Sequence, residues 1–171
     1  MTRRIILGIS AATTVGLVFL AGLAVAQKQS LKEQLVGTWL VVAVDNIRRD
    51  GSRFQSLGPN PKGILMFDAN GWFSFQLAQP ARPKFASDNR LQGTAEENKA
   101  TVQGSLSYYG KYSVEEADRV LHLYIESSSW PNFDGIDNKR IITSLSDDEL
   151  KWYSPAGSVG TTAEVVWQRA K

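Results

Sequence analysis

The sequence predicts an all-β domain, a mostly antiparallel meander of eight or nine short strands interrupted by one helical insertion. Three observations carry this. From Trp39 to the C-terminus apolar and polar residues alternate with a period of two, the pattern of strands with one buried face. Turn-forming clusters such as Asp68-Ala69-Asn70-Gly71 and Ser146-Asp147-Asp148 punctuate that alternation at intervals of about eight to twelve residues. A single long segment, 79–107, breaks the pattern and contains helix signals.

Taken in order, residues 1–26 hold Arg3 and Arg4, an uncharged run from Ile5, and Ala24-Val25-Ala26 before Gln27. This is the layout of a cleaved signal peptide, leaving residues 27–171 as the mature domain, exported to a periplasm or secreted. The run is long enough to cross a bilayer, but Ala, Gly, Ser and Thr dilute it, and no membrane span is expected after cleavage. Thr2-Arg3-Arg4-Ile5-Ile6-Leu7 resembles a twin-arginine signal, so the general secretory and twin-arginine routes both remain open.

In the mature chain, Leu35–Asn46 is a Val-rich strand, and 48–62 is a loop with a short strand at 53–57. Gly63–Asp68 and Trp72–Leu77 form a hairpin across Asp68-Ala69-Asn70-Gly71, a strong turn signal. Pro80 and Pro83 break the segment 79–107, where Thr94-Ala95-Glu96-Glu97 is a capping box that predicts a helix from about Ala95 to Val102. An excursion of that length inside a meander is commonly functional. Tyr108–Val114 pairs with 119–127, 140–145 with 149–153, and 163–169 closes the chain. So many sequential strands must dispose of their edges. Closure into an up-and-down barrel does so. A two-sheet sandwich is the competitor, and periodicity does not separate the two.

Composition excludes several functions. With Arg3 and Arg4 removed, the mature chain has 17 basic and 17 acidic residues, so no field favours nucleic acid. There are no cysteines, hence no disulfide, thiolate metal site or cysteine nucleophile. His122 is the only histidine, too few for a zinc or copper site. Nucleophile-elbow, P-loop and dinucleotide motifs are absent. Neither a metal nor a cofactor is expected.

Five motifs occur in order over about residues 33–169: Leu35-x-Gly37-Thr38-Trp39; Gly58-Pro59-Asn60-Pro61-x-Gly63 with Asp68-x-Asn70-Gly71; Gly110-x-Tyr112; Glu126-x-Ser128-x-x-Pro131-Asn132-x-x-Gly135; and Val166-Trp167-x-Arg169. Together they resemble the lipocalin-like domain family of bacterial and fungal proteins. The resemblance implies an eight-stranded barrel with a central cavity and says little about chemistry. It further implies that Trp39 packs at the closed end beneath Arg169, with Gly37 letting the chain pass close by. A guanidinium stacked on an indole suits that structural task.

Two constellations are candidates for function. His122, Tyr124 and Glu126 share one face of a strand whose other face carries Leu121, Leu123 and Ile125. Turned outward they are a solvated face; turned inward they are either acid–base groups of a cofactor-free isomerase or cyclase or a polar handle that orients a bound ligand. The second set is aromatic: Trp72, Phe75, Tyr108, Tyr112, Trp130 and Phe133, with Asn132 between the last two. Such residues supply apolar area with a few polar tips, and Trp130-Pro131-Asn132-Phe133 fits the mouth of a cavity. Arg48, Arg49, Arg53, Lys62, Arg82, Lys84 and Arg90 in the loops are candidates to meet an anionic head group. The leading reading is an exported barrel binding a small apolar or amphipathic molecule, with the insertion as a partial lid. The alternatives are the cofactor-free enzyme and a structural envelope module with a filled barrel.

Overall fold

The computed structural model describes residues 29–171; the signal peptide expected at 1–26 lies outside the described residues. Nine strands form one antiparallel sheet: β1 (Gly37–Ile47), β2 (Arg53–Phe54), β3 (Lys62–Phe67), β4 (Trp72–Ala78), β5 (Ser105–Glu115), β6 (Val120–Ser128), β7 (Asp137–Leu145), β8 (Glu149–Ser154) and β9 (Thr162–Arg169). From β3 onward each strand pairs with the next, and β9 returns to β1, with Trp39 opposite Arg169 and Ile47 opposite Thr162. That last pairing closes the sheet and removes the sandwich alternative. Eight strands make an up-and-down barrel, and two-residue β2 is an appendix on the end of β1.

The period-two alternation sets which side chains face inward. β6 buries Leu121, Leu123 and Ile125, and β4 buries Phe73, Phe75 and Leu77. One irregularity is enforced by sequence. The β5–β6 register shifts between Tyr109 and Gly110, where a Cβ on Gly110 would lie 1.9 Å from the Tyr124 carbonyl oxygen. Only glycine permits that bulge.

Two helices accompany the barrel. α2 (Ala95–Gln103) begins at the expected capping box: the Thr94 hydroxyl accepts from the Glu97 N–H, and the Glu97 carboxylate accepts from the Thr94 N–H. These bonds and a further one from the Ala86 N–H hold the Glu97 carboxyl below the usual carboxylate range. The helix stops at Gly104, and Ser105–Ser107, expected within the insertion, instead extend β5 against β4. α1 (Leu31–Leu35) was not predicted, although Ser30-Leu31-Lys32-Glu33 forms the same kind of box. Its first N–H groups donate to Glu116 at the β5–β6 turn, at 2.9 and 3.2 Å, which ties the helix across one end of the barrel.

The two ends differ. The β3–β4, β5–β6 and β7–β8 turns meet α1 and the chain's last strand at one end. Four longer connections gather at the other: 48–61, the insertion, 129–136 and 155–161. Leu35, Trp39, Leu65, Leu123, Leu150 and Trp167 fill the first half and are fully buried.

Candidate functional site

A cavity of about 450 Å³ opens at the end of the long connections. Each connection lends it a side chain: Leu57, Val102 from α2, Trp130 with Phe133, and Val159. Its walls are Val44, Leu77, Leu106, Trp152 and Val165. Phe75 stacks on Tyr108 with ring centroids 4.3 Å apart, and Phe133 meets Tyr108 edge-on at 5.8 Å. Phe133 also packs on Trp130 at 4.7 Å. Local chemistry fixes this corner. Pro131 opens a single 3₁₀ turn over Pro131–Phe133, where its missing N–H costs nothing, and the Ser128 hydroxyl accepts from the Trp130 N–H at 3.0 Å. Buried Asn46 joins three rim segments, accepting from the Ser56 hydroxyl at 2.7 Å and donating to Thr161 at 3.4 Å, while Gln79 donates to the Ser56 carbonyl at 3.1 Å.

One charge lies inside this apolar chamber. Arg140 on β7 lines the cavity and is only 5% exposed. Its Nη1 donates to the Asn138 amide oxygen and, at 2.9 Å, to the Lys139 carbonyl; its Nη2 donates to the Tyr108 hydroxyl at 3.0 Å. Its guanidinium carbon is 6.0 Å from the Trp152 ring centre. Among the described residues no carboxylate lies within 4.0 Å of it. Burial raises the Tyr108 phenol above its ordinary value, and Arg140 only partly opposes this. Tyr108 therefore stays protonated at neutral pH and keeps an O–H to donate. Asn138 Nδ2 and Trp152 Nε1 are buried donors without an acceptor among the described residues.

Of the aromatic residues picked out in the sequence, Phe75, Tyr108, Trp130 and Phe133 line the cavity. Trp72, Tyr112 and Asn132 do not. Trp72 is on the outer wall, with the Lys111 ammonium 3.4 Å over its ring. Tyr112 is buried nearer the closed end, where its hydroxyl donates to the Asp68 carbonyl at 2.8 Å and its ring meets Phe67. Asn132 is exposed on the 3₁₀ turn. His122, Tyr124 and Glu126 are on the outer face of β6, because the inner face is taken by its aliphatic residues. There His122 Nδ1 is 2.8 Å from Asp137 and its Nε2 3.7 Å from Glu115. The cofactor-free enzyme reading needed these side chains inside.

The loop cations Arg48, Arg49, Arg53, Lys62, Arg82, Lys84 and Arg90 are exposed at the surface; Arg53 pairs with Glu164 at 2.7 Å, and Arg48 covers the Phe54 ring at 4.1 Å. Sequence reasoning missed Arg140 and Trp152. The available signal was Asn138-x-Arg140-x-Ile142, two polar residues in phase with an apolar one. The adjacent pair Ile141-Ile142 hides it, since either phase then has an apolar residue to bury.

At the closed end, the Arg169 guanidinium carbon is 4.0 Å from the Trp39 ring centre. Arg169 donates to the carbonyls of Val36 at 2.9 Å, Gln34 at 2.7 Å and Asp147. Trp39 Nε1 donates to the Leu35 carbonyl at 2.9 Å. Gly37 has φ +129°, and a Cβ there would come 2.7 Å from an Arg169 nitrogen. Among the described residues no cluster of three His, Asp or Glu side chains is placed to hold a metal, and no helix is long and apolar enough to cross a membrane.

Several solved structures resemble this fold. A redesigned β-barrel is 16% identical, with a TM-score of 0.44 over 84% of this chain and 100% of that one. A lipocalin-like protein from Bacteroides uniformis is 14% identical, with a TM-score of 0.44 over 80% of this chain and 99% of that one. Bovine odorant binding protein, in complex with a selenium-containing odorant, is 15% identical, with a TM-score of 0.42 over 84% of this chain and 74% of that one. No curated protein matches the chain. The closed eight-stranded barrel agrees with a match over residues 36–170 to the lipocalin-like domain, and the chain belongs to that family.

Proposed function

We propose that this protein is an exported barrel that binds a small, largely apolar molecule in its open-end cavity. The observation that carries the reading is the asymmetry of the interior: one half is filled by large side chains, while the other encloses about 450 Å³ behind aromatic and aliphatic walls. That volume falls in the range of small-molecule sites, about 300–1,000 Å³. A filled structural barrel has no use for such a space. α2 acts as a partial lid: Thr101, Val102 and Gln103 border the mouth, yet α2 itself buries no residue. A lightly docked element of this kind opens at low cost. Export rests on the order of charged, apolar and small residues in 1–26.

The test is native mass spectrometry of the purified protein, with fluorescence titration against a panel of lipids and terpenoids. Trp130 and Trp152 line the cavity and serve as internal reporters. The expected result is a co-purifying small molecule or saturable quenching. The absence of both a bound mass and a quenching ligand across the panel would overturn the reading. Cleavage after Ala26 is checked by the N-terminal sequence of the exported protein.

A further inference from the structure

Resting on the reading that the cavity is the ligand site, we infer that its occupant is an amphipathic monoanion whose carboxylate is held by Arg140 and Tyr108. The buried guanidinium is the starting point. Arginine stays charged at any pH a protein survives, and an unpaired charge out of water costs several kcal/mol. Arg140 has neutral oxygens as partners but no acid. Three of its N–H groups are used in these bonds, of the five a guanidinium carries.

The neighbouring polar groups lean the same way. Tyr108 accepts from Arg140 and so directs its own proton elsewhere. Trp152, another wall residue, has an orphaned indole N–H. These groups offer donors, and none of them offers a negative charge. The complement of such a set is an acceptor carrying one negative charge. A carboxylate is planar and matches the guanidinium fork through two oxygens. It also leaves the buried pair neutral, whereas a dianionic phosphate would leave a net charge in an apolar chamber. The rest of the cavity, with Phe75, Leu77, Val44 and Val165 on its walls, takes the apolar body. Candidate cations in the loops are not needed, since the counter-charge is already inside.

The experiment uses three ligands of one chain length and different heads: decanoate, 1-decanol and decylamine, titrated at neutral pH by tryptophan quenching and calorimetry. Decanoate is expected to bind about tenfold to a hundredfold more tightly than decanol, the usual gain from a charge-assisted pair. Arg140→Gln should bring the affinities for decanoate and decanol to within about twofold of each other. If Arg140→Gln does not fold, Tyr108→Phe keeps the ring packing and should narrow the preference. Equal affinities for decanoate and decanol on the unaltered protein, or tighter binding of decylamine, overturn the head-group assignment and leave the cavity reading standing. No binding by any of the three overturns both.

Discussion

The barrel carries two arginines beside tryptophans, one half-buried and one buried, and they do opposite things. At the closed end Arg169 sits over the Trp39 ring and donates to three main-chain carbonyls from α1's exit and the β7–β8 turn. Gly37 beside it has no side chain, so that the guanidinium can come close. At the open end Arg140 stands farther from Trp152, bonds to side chains as well as a carbonyl, and borders open volume. The same residue type is a rivet in one place and an unneutralised charge in the other. The difference is where the charge lies: Arg169 is half-buried over main-chain carbonyls at the closed end, whereas Arg140 is buried beside the open cavity.

The largest expected effect is at the floor. Trp39→Ala removes a fully buried indole and should cost about 3–5 kcal/mol, measured as a lower denaturation midpoint. Next comes the pair of arginines, which tests the comparison directly. Arg169→Leu leaves three carbonyls without their donor and should destabilise by about 2–4 kcal/mol. Arg140→Leu also strands Asn138 and Tyr108, but it removes an uncompensated buried charge, so its net change should stay within about 1.5 kcal/mol. Equal losses from the two substitutions would erase the distinction drawn between them.

A smaller effect is expected at high pH. The folded pKa of Tyr108 is raised by burial, so its contribution to stability is complete below the unfolded phenol value of about 10. It is lost as pH rises through the folded value. Tyr112 is shifted the same way, chiefly by burial. Melting temperatures recorded from about pH 9 to 11 should fall less steeply for Tyr108→Phe than for the unaltered protein. The smallest effect belongs to the outer wall. Glu126→Gln should change stability by no more than about 0.5 kcal/mol and leave ligand titrations unaltered. A loss of ligand affinity there would move the site away from the cavity.

The residues differ in how openly they announce their roles. The Asp68–Gly71 turn and the Thr94–Glu97 box were readable because hairpins and helix starts depend on neighbours three or four positions apart. α1 carried an equally local signal in Ser30 and Glu33, but its five residues show too little periodicity to stand out. Phe75 and Tyr108 were legible as pocket aromatics; Trp72 and Tyr112 looked the same in sequence and went elsewhere, one to the outer wall and one toward the floor. Their strands alternate in both cases. Which phase faces the cavity, and at what height, depends on pairing with strands far away in the chain.

By itself the sequence determined the alternating strands, their turns, the helix in the insertion and the kinship of Gly37, Trp39 and Arg169, since these rest on local periodicity or on an ordered set of motifs. Only the tertiary structure decided that β9 closes on β1, that β6 turns its aliphatic side inward, and that Arg140 enters the cavity while the loop arginines stay outside. The physical reason is common to all three. Periodicity shows that a strand has two faces, but which residues reach the interior, and at what height in the barrel, is assigned by closure and strand pairing, and so by partners far away in the chain rather than by neighbours.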